Sequence, residues 1–219
     1  MKSSTIIGLS FGGAALGAVP GFDISHYQST PYNFEGAYSS GARFVIIKAT
    51  EGTTYKDPAF SSHYTRATDA GLIRGAYHFA HLDSSSGAAQ AEFFLGNGGG
   101  WSGDGITLPG MLDLEGECVL SASATVSWIR DFGDTYHAST GRYPLIYTNP
   151  SWWESCTGDS SVFVDTNPLV LARYSFSAGT PPGGWPYYTI WQFNDAYEYG
   201  GDSDTFNGDQ SGLQKLATG

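Results

Sequence analysis

Eight short runs rich in β-branched and aromatic residues recur along the chain: PGFDIS (20–25), RFVIIKAT (43–50), RGAYHFA (74–80), PGMLDLEG (109–116), YPLIYT (143–148), PLVLARY (168–174), YYTIWQF (187–193) and DSDTF (202–206). Each has the length and residue types of a strand. Between the early runs lie helix-like stretches at 57–71, 87–96 and 121–141. The last opens on Ser121, carries Val126, Ile129 and Phe132 at helical spacing, and has Gly141 just past its end. Strand followed by helix, repeated, implies parallel neighbours, because a parallel pair needs a long crossover. The pattern therefore predicts an α/β fold: an irregular (β/α) barrel of eight strands, TIM-barrel-like, in preference to an open doubly wound sheet. SFSAGTPPGGWP (175–186) is a Pro/Gly loop that cannot serve as a crossover helix. The last strands are accordingly expected to be partly antiparallel, with few helices.

A chain of 219 residues fits one such barrel. Its first eighteen residues have one lysine, a short apolar stretch and small residues at Ala15, Gly17 and Ala18, the pattern of a secretory signal. The expected organisation is a leader over residues 1–18, cleaved after Gly17 or Ala18, and a single catalytic domain over 19–219, secreted and monomeric. No later stretch is apolar enough to span a bilayer, so no membrane partner is expected. The formal charge of -11 lacks the basic patch of a nucleic-acid surface. In an exported chain the two cysteines, Cys118 and Cys156, are expected to form a disulfide.

Within PGMLDLEG, Asp113 and Glu115 are two apart at the end of a buried strand, so both point to one face while Leu114 packs on the other. Like charges that close resist ionising together. In a parallel barrel the chemistry gathers at the C-terminal strand ends, where Asp23, Asp113, Glu115 and the Asp202/Asp204 pair are expected to converge. Cleaving a glycosidic bond needs one protonated carboxyl for the leaving oxygen and one charged group beside the oxocarbenium-like transition state. Glu115, longer and crowded by Asp113, suits the acid, and Asp113 is expected to stay ionised. Tyr147 and Trp191 are the aromatics best placed to meet a sugar ring.

Other chemistries find little support. DSDTFNGD imitates a calcium loop but puts Phe206 at the fifth ligand position, and His78 and His81 are three apart on a strand, so no metal is expected. Neither a G-x-S-x-G elbow nor a nucleotide-binding glycine loop is present, and no cofactor is implied.

GFDISHYQ (21–28), IKATEGTTYKDPAF (47–60), GAYHFA (75–80), MLDLEG (111–116), PLIYTNPSWW (144–153), LARY (171–174), IWQF (190–193) and DTFNGD (204–209) together resemble, in order, the blocks of the glycoside hydrolase family 25 lysozymes, the CH-type muramidases. The resemblance implies hydrolysis of the β-1,4 bond between N-acetylmuramic acid and N-acetylglucosamine in peptidoglycan. It implies Glu115 as general acid, Asp113 as its partner, Asp23 and an acid of the last strand, Asp202 ahead of Asp204, as further active-site acids, and Tyr77, Tyr147 and Trp191 as substrate contacts. It also implies attack by the substrate's own 2-acetamido group, with retention. Two rival readings are a family 18 type chitinase or endo-N-acetylglucosaminidase, against which Met111 stands where that family has another Asp, and a non-catalytic sugar-binding barrel.

Overall fold

The computed structural model describes residues 17–219, so the expected leader lies outside the described residues except for Gly17 and Ala18. Strands and helices alternate as β1 (Val19–Ile24), α1 (Phe34–Ser39), β2 (Phe44–Glu51), β3 (Tyr55–Lys56), α2 (Phe60–Asp69), β4 (Ile73–Phe79), α3 (Gly87–Phe94), β5 (Met111–Asp113), α4 (Ala122–Thr140), β6 (Leu145–Thr148), α5 (Pro150–Thr157), β7 (Leu169–Ala172), β8 (Ile190–Asn194), β9 (Asp202–Phe206) and α6 (Gln210–Thr218). All eight expected strands form. β1, β2, β4, β5, β6, β7, β8 and β9 pair in that order and β9 returns to β1, closing an eight-stranded barrel with β3 as a short hairpin partner of β2.

Every neighbouring pair from β1 to β8 is parallel, whereas β9 is antiparallel to both β8 and β1. Connection length explains the difference. Only residues 195–201 separate β8 from β9, too short for a parallel crossover. The loop 173–189 between β7 and β8 holds no helix yet is long enough to cross, so that pair stays parallel.

The inward faces of the strands divide the barrel into two halves. Val19, Phe44, Ile46, Ile73, Met111, Leu145, Val170, Ile190 and Phe206 fill one end, closed by Leu213 and Ala217 of α6. Gly21 is required here, because a Cβ would collide with the Phe44 ring. Two or four residues further along the same faces, at the other end, stand Asp23, Lys48, Tyr77, Asp113, Tyr147, Gln192 and Asp204. Outside the barrel, α3, α4 and α5 cover Leu112, Ile146, Leu169 and Leu171 with Phe94, Ile129, Phe132 and Trp153. α1 and α2 cover Phe22, Val45 and Ile47 with Phe34, Ala37 and Ala67.

α1, α5 and α6 were not expected from the sequence. The last two are short but well punctuated: Asn149 accepts from Trp152 N at 2.9 Å ahead of Pro150, and Asp209 accepts from Gly212 N at 2.8 Å. Cys118 and Cys156 are joined, as expected, tying the segment after β5 to α5.

Candidate active site

β5 ends at Asp113, and the next residues are held by neighbours rather than by sheet. Leu114 N donates to Tyr147 O at 3.0 Å, its side chain is buried in the outer core, and the Trp152 indole donates to Gly116 O at 2.6 Å. Glu115, between them, is turned to the open rim. Asp113 is 5 % exposed and its Oδ1 has no hydrogen-bond partner among the described residues. A buried carboxyl oxygen without a donor is costly to folding, and such a cost is retained where a ligand supplies the donor.

Asp23, next to last in β1, lies directly opposite Asp202, its Cα partner on β9. Asp202 is the first residue of its strand, not near its end as the sequence reading placed it. It reaches the rim all the same, because an antiparallel strand brings its N-terminal end there. Gly201 sets this approach: its φ is +95°, and a Cβ would strike the backbone oxygen of Asp23. Asp204 points the same way two residues deeper, is 2 % exposed, and is driven well above the carboxylate range by burial and by the neighbouring Asp23 and Asp202. The rim acid of β9 is therefore Asp202, with Asp204 beneath it.

Gln192 was not anticipated, and it joins the two halves of the cluster. Its amide nitrogen donates to Asp23 Oδ2 at 2.7 Å and Asp202 Oδ2 at 3.2 Å. Its amide oxygen accepts from Tyr147 at 2.9 Å and Tyr174 at 3.0 Å. Tyr147 lies also 3.5 Å from Glu115 Oε2. A glutamine alternating with Ile190 on an otherwise apolar strand was the available signal. Tyr77, in register with Met111, faces the same interior, and burial together with Asp23 and Asp113 pushes its phenol up.

Trp191 does not join the cluster. Its neighbours Ile190 and Gln192 take the inward face, so its indole packs outside near Tyr188 and donates to Arg173 O at 2.8 Å.

Five carboxyls so close cannot all ionise. Burial, then the facing charge of Asp202, pushes Asp23 up to about 8 despite the Gln192 donor. Burial, with Asp195 and Glu115 adding, pushes Asp202 up to about 6. Asp113 is driven well above the carboxylate range by burial, Glu115 and Asp23, while Glu115 is raised by burial and eased by Tyr147 and Lys48. Both members of the pair are raised, so between them they hold a proton at a pH where a free carboxyl has lost it.

Comparison with known proteins points the same way as the geometry. Residues 22–202 match the family model described as glycosyl hydrolases family 25. The chain is 64 % identical over 211 residues to an N,O-diacetylmuramidase of Chalaropsis sp, covering 92 % of this chain and all of that protein. It is 45 % identical to Lysozyme M1 of Streptomyces globisporus, over 95 % of this chain and 74 % of that protein. Among solved structures, a muramidase from Trichobolus zukalii superposes with a TM-score of 0.90 at 66 % identity, covering 91 % of this chain and 99 % of the other.

Proposed function

Because the chain belongs to glycosyl hydrolases family 25, we propose that it is a lysozyme of the N-acetylmuramidase type, hydrolysing the β-1,4 bond between N-acetylmuramic acid and N-acetylglucosamine in peptidoglycan. The observation that carries this reading is the pair Asp113 and Glu115, one buried with an oxygen lacking a donor, the other open to solvent beside it. Glu115 protonates the leaving glycosidic oxygen. The 2-acetamido oxygen of the substrate bonds to the anomeric carbon as that bond breaks, and the acetamido N–H meets Asp113 Oδ1. That donor favours the charged form of Asp113 and leaves the proton of the pair on Glu115. Water then attacks the anomeric carbon, the bond to the acetamido oxygen breaks, and Glu115 takes the proton from the water. The two displacements give retention.

Asp23 and Asp202, bridged by Gln192, flank the same opening, with Tyr147 and Tyr77 beside the reacting sugar. Trp191 has no part in this scheme. Against the family 18 reading, Met111 belongs to the apolar interior directly below Asp113 and offers no charge to it. Export of the chain, with residues 1–18 removed and the domain over 19–219 acting as a monomer, belongs to the same proposal. The disulfide supports it, since such bonds persist in oxidising compartments.

Mass analysis of the fragments released from purified peptidoglycan tests the activity. Muramic acid at the new reducing ends is expected. N-acetylglucosamine there, or rates on chitin equal to those on peptidoglycan, would favour the family 18 chemistry, and binding without release of fragments would favour a sugar-binding barrel.

A further inference from the structure

Lys48 interrupts an apolar stripe. On β2 the inward residues run Phe44, Ile46, Lys48, and the lysine is 8 % exposed. Burying an ammonium costs desolvation that a leucine there would avoid, so something other than packing accounts for it. Its Nζ donates to Glu51 Oε2 at 2.7 Å and lies 5.0 Å from the centre of the Phe79 ring and 5.6 Å from that of Tyr55. Phe79 is the Cα partner of Glu51 on one side and of Asp113 on the other, so this shelf leads from β2 to the acid pair. The Lys48 charge reaches both Asp113 and Glu115 and opposes the upward push of burial on each.

We propose that Lys48 is the positioning residue of the acid pair, its fixed ammonium setting the pH range in which one of Asp113 and Glu115 carries a proton while the other is charged. The inference rests on the reading of those two residues given above. The groups facing the ammonium or the pair are Asp23 from β1, Glu51 from β2, Tyr55 from β3, Tyr77 from β4 with His81 beyond it, Tyr147 from β6, and Asp202 and Asp204 from β9. Four of these are carboxyls and only His81 can add a second positive charge, so one cation among them has leverage. Glu51 moderates it, held between Lys48 and His81, each at 2.7 Å.

The test is the pH profile of kcat/KM on peptidoglycan for Lys48→Met, Lys48→Arg and Glu51→Gln, together with carbon-13 NMR titration of the Asp113 and Glu115 carboxyls. Loss of the cation in Lys48→Met moves both limbs, and both titrations, to higher pH by about one unit. Glu51→Gln leaves the ammonium unbalanced and moves them to lower pH. Lys48→Arg keeps the wild-type profile. A Lys48→Met profile lowered in height but unmoved along the pH axis would mark a purely structural role and overturn the proposal. So would a Glu51→Gln shift that is absent or upward, which decides the matter even if Lys48→Met does not fold. If the wild-type protein cleaves no peptidoglycan, the functional reading fails, while the carboxyl titrations still decide the role of Lys48.

Discussion

Leu114 makes a pair of Asp113 and Glu115 by burying itself in the outer core, at 1 % exposure, and leaving the residues on either side no choice of face. Glu115→Gln keeps the shape and removes the transferable proton, so kcat/KM on peptidoglycan is expected to fall by at least ~100-fold, the lower end for a positioned general acid. Thermal unfolding of the same variant, measured alongside, is expected to show no loss of stability, since the residue is exposed and its charge opposes its neighbours. Near-wild-type turnover would remove Glu115 from its role. The pair was legible in the sequence because an apolar Leu114 between two acids is buried, and the alternation of the strand carries past its end at Asp113. The face of Trp191 was not, because YYTIWQF carries large apolar residues on both faces and only Gln192 distinguishes them. Gln192 and Lys48 escaped notice for a related reason: a lone polar residue in a strand signals its role only when its partners, far away in sequence, are known.

β9 shows what alternation and composition leave open. DSDTF reads as a strand wherever it is placed, and the residues that set its direction are the short connection before it. Read as a parallel strand, it would carry its acids at the wrong end of the barrel. As an antiparallel strand, it sets Asp202 against Asp23 and lets Gln192 bridge them. Gly201 is the hinge of this arrangement, and Gly201→Ala tests it. The variant puts a Cβ against the Asp23 carbonyl at a backbone angle that disfavours side chains, costing about 1–3 kcal/mol. The larger effect is expected on turnover, by roughly 100-fold if Asp23 and Asp202 move by about 1 Å. Comparing kcat with the melting temperature separates the two. A variant that loses stability but not kcat would show that the Asp23–Asp202 spacing is irrelevant to the reaction.

For the molecule as a whole, the closed barrel puts the cost of the site in its own interior, and pH should reveal that cost. The Asp23 carboxyl holds its proton up to about 8 in the native state against 3.8 ordinarily, and Asp113 and Asp204 are shifted in the same direction. Groups raised in this way stabilise the fold fully at low pH and lose that contribution as pH rises towards their native values, because the unfolded chain has already released those protons. His78 works in the opposite sense. Buried between Thr50 and Gln90, it is lowered to about 4, so its contribution is complete above the ordinary histidine value of 6.5 and is lost as pH falls towards about 4. Three buried carboxyls outweigh one imidazole. Stability is therefore expected to decline as pH rises from about 4 towards about 8, by a few kcal/mol, a drop in Tm on the order of 5–10 °C. Asp23→Asn, which has no proton to lose, should flatten that decline and melt above the wild-type protein at about pH 8 while losing activity, as expected where a site is held at the expense of stability. Differential scanning calorimetry across this range checks both proteins; a wild-type Tm that rises from about pH 5 to about pH 8 would mean that the buried acids ionise without cost to the fold.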